Sequence, residues 1–204
     1  MKLTIPHMNN LNLINKKLLK NTKPYYELKK YSIVHQAISL VISQKISFQQ
    51  GKNIRKELFY LINPDLEFTK ENIKNIKDEN LENIGIDVLK IKTIRNILKL
   101  DDTDNNDFIE KIGNIKGIGP WTIKCLKIYF ELDNDIFLSE DLWIRKRVTE
   151  LTENDTVLTQ KECENASKNW SGYRTQVSKF FWRIKPSGIT ALLNNDELNY
   201  DHFL

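Results

Sequence analysis

The sequence predicts an all-α protein with two lobes. Three observations carry that expectation. Apolar residues recur at helical spacing in segment after segment, nothing alternates with a period of two, and the pattern breaks near residues 131–137, between two helical blocks. The chain has 204 residues, enough to bury a core as one domain or as two small lobes. No internal repeat and no low-complexity linker interrupts it.

In YSIVHQAISLVISQ, the residues Ile33, Val34, Ala37, Ile38, Val41 and Ile42 make a wide stripe on one helix, with Ser32 as its N-cap. After QKIS a second helix runs through Ile54, Leu58 and Leu61 to a turn at Asn63, Pro64 and Asp65. Thr69 caps a short helix over TKENIKNIK. Val88, Ile91, Ile94 and Leu98 stand in register in IDVLKIKTIRNILKL. DDTDNND supplies an acidic loop and helix start, where negative charge meets the positive end of the helix dipole. IGNIKGIGPWTIKC then reads as the end of one helix, a tight turn and the start of the next. Beyond the seam, helices are expected at about 141–152, 159–169 and 172–185. The first thirty residues are expected to pack back on this later block. The first lobe is thus residues 31–132, and the second is residues 1–30 with 133–204.

Composition narrows the function classes. Apolar residues make up 40% and charged residues 28%, the balance of a globular protein. The net charge of +4 is a mild bias towards a polyanionic partner. Cys125 and Cys163 cannot form a disulfide framework, and there is no C-x-x-C and no Cys/His cluster. Structural zinc, an iron–sulfur cluster and the zinc-deaminase signature are therefore not expected. His7, His35 and His202 are scattered, as surface or satisfied core histidines are. The N-terminus lacks a long apolar segment and a cleavage site, and AISLVIS is too short to span a bilayer. An intracellular location is expected: cytoplasm and nucleoid, or nucleus.

The chain has 7 glycines, and Gly113, Gly117 and Gly119 fall within seven residues. Gly117 and Gly119 allow positive φ and close backbone approach, and Pro120 fits the first turn of a helix. Backbone N–H groups at that helix start point outwards and can bind a phosphate oxygen, a contact blind to base sequence. Lys116, Lys124 and Lys127 add positive charge. Taken alone, the turn reads equally well as a plain connection between packed helices.

IKGIGPWTIKC is similar to the helix-hairpin-helix of the DNA glycosylase superfamily. DNDIFLSEDLWIRKRV follows about twenty residues on, where that superfamily carries its catalytic aspartate. NWSGYRTQVSKFFWRIK resembles the Trp-x-Pro-aromatic-Arg helix of the DNA-3-methyladenine glycosylase II branch, and AISLVISQKIS resembles that branch's buried helix and the Gly-Gln-x-x-Ser after it. The motifs occur in order over roughly residues 30–186. The resemblance implies two helical lobes with an interlobe cleft, and a monomer acting on double-stranded DNA that contains damaged bases.

It also implies site residues. By family position Asp141 is the catalytic group, with Glu140 a solvated neighbour and Ser139 replacing a frequent proline. Such a carboxylate stabilises an oxocarbenium-like sugar or orients water. Read without the resemblance, Asp141 is an ordinary helix cap. Bifunctional relatives place a nucleophilic lysine two residues after the second hairpin glycine. Here that position is Trp121, which implies base release by water without strand cleavage.

The damaged base must be flipped out to be reached, and N3- or N7-alkylated purines carry a positive charge that aromatic faces favour. The resemblance puts Trp121, Cys125 and Trp182 around that base. Val177, Phe180, Phe181 and Ile184 form the core stripe of the last helix, and Trp182 lies off it, either in this role or at an interface between lobes. Trp143, Trp170 and Tyr173 read as packing. The plug that fills the emptied stack falls on Lys45, or on Gln44 or Ile46 with Lys45 on a phosphate. Arg145, Lys146, Arg174, Lys179 and Arg183 are basic residues able to meet phosphates. No cofactor is expected beyond a monovalent cation on the main-chain carbonyls of Gly113, Ile115 and Ile118. Three rivals remain: a glycosylase of this fold for deaminated or oxidised bases, a bifunctional lyase, and a non-catalytic DNA-binding module.

Overall fold

A computed structural model describes residues 31–62, 69–184 and 189, with Arg183 described by its backbone alone. The first apolar stripe folds as the helix it predicts, α1 (Ile33–Ser43), and the Ser32 hydroxyl accepts from His35 N at 3.2 Å. The helix is apolar on nearly every side, and nine of its residues are buried, from Ile33 to Ile42. A helix of that kind belongs inside a core. It packs against α2 (Phe48–Ile62), α5 (Val88–Ile97) and α7 (Pro120–Tyr129).

Two short helices, α3 (Lys70–Lys74) and α4 (Asp78–Asn83), and α6 (Asn105–Ile112) complete this first compact unit, Lys30–Phe130. Thr69, Asp87 and Asp104 each accept a backbone N–H at 2.8–3.2 Å and so start α3, α5 and α6. Sequence reading missed α4. Its N-cap is Lys77, which makes no side-chain cap bond, and its buried anchor is the single residue Leu81. Of the apolar residues that α2 runs through, Leu58 is buried and Leu61 is 41% exposed.

The other compact unit takes in the chain from Glu131 onward. It holds α8 (Leu142–Leu151), α9 (Gln160–Ser167), a 3-10 turn (Lys168–Trp170) and α10 (Arg174–Arg183). Thr159 and Glu162 form a reciprocal capping box at the start of α9. Trp170 is the hub of the core, 5.5 Å from Phe137 and 5.5 Å from Phe181 between ring centroids. Each such fully buried ring contributes about 1.5–3 kcal/mol over its exposed state. Val177, Phe180, Phe181 and Ile184 are buried as the stripe predicts, and Trp182 is half-buried off it. Tyr173 departs from its expected packing role and is 53% exposed. It follows Gly172, which has a φ of 84°, and comes just before α10 begins.

Among the described residues there is no β-strand, and no helix is long and apolar enough to cross a membrane. The expected turn at Asn63, Pro64 and Asp65, the first thirty residues, His7 and His202 lie outside the described residues.

Candidate active site

The hairpin occupies the end of α6, the turn 113–119 and the start of α7. Gly117 has φ 99°, a left-handed backbone open to glycine. A Cβ there would stand 2.5 Å from Thr93 Oγ1, which lies within bonding reach of the carbonyls of Lys116 (3.1 Å) and Leu89 (3.0 Å). Gly119 differs from the expectation of a positive φ. Its φ is −109°, and a Cβ there would meet nothing within 4 Å. It caps α7 with Pro120 in the first turn, and no side chain makes a cap hydrogen bond there.

The segment after α1 reaches this turn. Gln44 Nε2 donates to Gly117 O and to Thr122 Oγ1, both at 3.1 Å. Gln44 therefore braces the hairpin. Lys45 is exposed and sits at φ 57°, an uncommon conformation for a side-chain-bearing residue, and Ile46 is half-buried. Lys90 Nζ donates to Ile42 O at 2.9 Å and Arg55 Nη1 to Ser43 Oγ, so the end of α1 is held from two helices. Burial lowers the pKa of both cations, more than their anionic or phenolic neighbours raise it. Trp121 is half-buried on α7, Cys125 is fully buried one turn on, and Lys116 is exposed.

The turn's own hydrogen bonds run to the carbonyls of Ile109, Lys111, Ile112 and Ile115. The carbonyls of Gly113 and Ile118 are not acceptors in these bonds. The carbonyls of Gly113, Ile115 and Ile118 are those to which the resemblance assigns a monovalent cation. Among the described residues no group of three or more His, Cys, Asp or Glu could hold a metal ion.

In the later unit, Asp141 is the N-cap of α8. Its Oδ1 accepts from Trp143 N at 2.8 Å and Ile144 N at 3.1 Å. The same carboxylate turns Oδ2 towards α10, where Trp182 Nε1 donates to it at 3.4 Å. The cap therefore fixes one oxygen and orients the other. Trp143 ties the two helices together, donating from Nε1 to Phe181 O at 3.0 Å, with the Arg147 guanidinium 4.9 Å over its ring. Glu140, expected to be solvated, is half-buried with Oε2 shut off from solvent. The buried run Ile136, Phe137, Leu138 and Ser139 draws it inward.

Several basic residues already have partners. Arg174 forms a bidentate pair with Asp135, Nε to Oδ1 and Nη2 to Oδ2 at 2.8 Å each. Lys179 pairs with Glu131 at 2.6 Å, and Arg145 Nη1 donates to Leu158 O at 3.3 Å. Lys146 is exposed. Sequence reasoning missed Asp135. Its partner lies 39 residues away, and no local spacing signals such a pair.

The hydrogen bond from Arg174 holds the Asp135 carboxyl down at about 2. A depressed carboxyl stabilises the fold above its ordinary pKa of about 3.9. That contribution disappears as pH falls through about 2. Thermal melts should thus show wild type ahead of Asp135→Asn at pH 7 and at pH 4, with the gap closing towards pH 2.

No family model matches the chain. It is 24% identical over 179 residues to DNA-3-methyladenine glycosylase 1 of Schizosaccharomyces pombe, covering 82% of this chain and 78% of that protein. It is 23% identical over 223 residues to DNA-3-methyladenine glycosylase of Saccharomyces cerevisiae, covering 88% and 75%. The solved structure of the S. pombe 3-methyladenine DNA glycosylase in complex with abasic DNA superposes with a TM-score of 0.69 at 22% identity, over 86% of this chain and 94% of that one. The fold is that of the helical 3-methyladenine DNA glycosylases. The 86% of the chain that is covered is more than either compact unit holds alone.

Proposed function

We propose that the chain is a monofunctional DNA glycosylase of the DNA-3-methyladenine glycosylase II branch. It hydrolyses the N-glycosidic bond of alkylated purines, of the 3-methyladenine and 7-methylguanine type, in duplex DNA during base excision repair. The observation that carries this reading is the Asp141 carboxylate, with one oxygen fixed by the cap and the other turned to the Trp182 indole.

The chemistry follows from that carboxylate. As the glycosidic bond breaks, positive charge develops on the sugar, and Asp141 stabilises it and orients the attacking water. An alkylated purine is already cationic and leaves without strong acid assistance, so one carboxylate suffices. Trp182 presents an electron-rich face to the cationic base as well as an N–H to the carboxylate. Trp121 and Cys125 are the other residues assigned to the base. The amides at the start of α7, with Lys116, Gly117 and Gly119, take a phosphate; the open space before Gly119 supports close approach there. Gln44 braces that turn, and Lys45 and Ile46 fill or flank the emptied stack. A monovalent cation on the carbonyls of Gly113, Ile115 and Ile118 would add positive charge near the phosphate. The protein acts as a monomer and lodges with the DNA, in cytoplasm or nucleus.

Incubation of the wild type with DNA treated with a methylating agent tests the reading. Free 3-methyladenine or 7-methylguanine is expected, with no protein–DNA adduct on borohydride reduction, because Trp121 cannot form a Schiff base. A trapped adduct would favour the lyase. Release only from deaminated or oxidised DNA would move the substrate class. Binding without any release would leave a DNA-binding module.

A further inference from the structure

We propose that Asp135 and Arg174 are positioning residues for Asp141. Paired, they lock the register of the segment that delivers Asp141 against the helix that carries Trp182. The inference rests on the glycosylase reading above.

The segment 133–136 runs along the first turns of α10 and each of its residues is bonded there. Thr175 Oγ1 donates to Asp133 O at 2.7 Å and accepts from Ile136 N at 3.1 Å. Thr175 N donates to Asn134 O at 3.2 Å, and Ser178 Oγ to Ile136 O at 3.1 Å. Asp135 is the charged member of the row. It takes the Arg174 fork on both oxygens, and Gly172 N at 2.8 Å on Oδ1. Charge-assisted bidentate bonds are stronger and more directional than the neutral bonds beside them.

The geometry links this row to the site. Asp135 lies six residues before Asp141, through a buried stretch that leaves little slack. Arg174 lies eight residues before Trp182 on one helix, a rise of about 12 Å. The Asp141–Trp182 contact is long, at 3.4 Å, so a small slip of the segment along α10 breaks it. Arg174 also faces Glu164, with Nη1 3.6 Å from Oε1. Two carboxylates around one guanidinium leave it poorly suited to a DNA phosphate.

The test measures two quantities on folded variants: the single-turnover rate of base release at saturating enzyme, and the Kd for DNA containing an abasic-site analogue. Asp135→Asn and Arg174→Lys should each lower the saturated rate by about 10–100-fold, the scale of a small misplacement remote from the chemistry. The Kd should stay within about twofold of wild type, since neither residue meets the DNA on this reading. Lysine keeps the charge and loses the fork, so tolerance of Arg174→Lys would overturn the proposal. A raised Kd with an unchanged saturated rate and a shallower salt dependence would also overturn it, making Arg174 a phosphate contact. Should Arg174→Lys fail to fold, Asp135→Asn, nearly isosteric, decides alone. A wild type that releases no base overturns the glycosylase reading and this inference with it; an active wild type with fully active variants overturns this inference only.

Discussion

Asp141→Asn should lower base release from methylated DNA by about a thousandfold while the chain stays folded. The magnitude follows from charge. A carboxylate ~4 Å from a developing cation, at an effective dielectric of ~20, is worth about 4 kcal/mol, and each ~1.4 kcal/mol is tenfold in rate. The variant's folding follows from the cap. Asparagine caps a helix about as well as aspartate, so its carbonyl can keep the bonds to Trp143 N and Ile144 N. Its amide NH2 would then face the Trp182 N–H, donor against donor, where the carboxylate accepted. The measurement is single-turnover release of 7-methylguanine by wild type and variant, with thermal midpoints for both. Unchanged release from the variant would remove Asp141 from the chemistry and leave it a cap. A large drop in midpoint would mean that the carboxylate's main role is to hold α8.

How much of this was legible in the sequence depends on how far apart the interacting residues are. The cap of α1 at Ser32 and the stripe through Ile38 and Ile42 are local, and spacing reveals them. The stripe of α10 is local too, and placing Trp182 off it followed from counting residues. What Trp182 does with its N–H was not legible, because the acceptor is 41 residues away. By spacing alone nothing distinguishes Asp135 from its acidic neighbours in DNDIF, or Thr93 from the other polar residues of its helix. Each becomes structural only when tertiary packing brings Arg174 or Gly117 against it. The exposed residues failed differently. Leu61 and Tyr173 carry apolar character, and only the neighbouring backbone decides whether a partner covers it.

The two hairpin glycines should differ sharply in how the same substitution affects stability. Gly117→Ala has two penalties. A φ of 99° is costly for any L side chain, by about 1–2 kcal/mol. The new Cβ would also stand 2.5 Å from Oγ1 of Thr93, a short, branched and buried side chain. Moving Thr93 off Lys116 O adds about 1 kcal/mol. A total near 2–3 kcal/mol lowers the thermal midpoint by about 5–10 °C in a chain of this size. It also shifts the turn that Gln44 braces, so DNA binding should weaken with it. Adding Thr93→Ala should relieve the clash and leave the φ cost, so the double variant should lie above Gly117→Ala in stability. Gly119→Ala meets an ordinary φ and open space. Its stability should stay within about 1 kcal/mol of wild type, because a less flexible unfolded chain is offset by alanine's poorer fit at an N-cap. If a phosphate sits on the amides of α7, however, the added methyl stands in its path, and affinity for duplex DNA should fall in a folded protein. Equal DNA affinity for Gly119→Ala and wild type would remove the start of α7 from the interface.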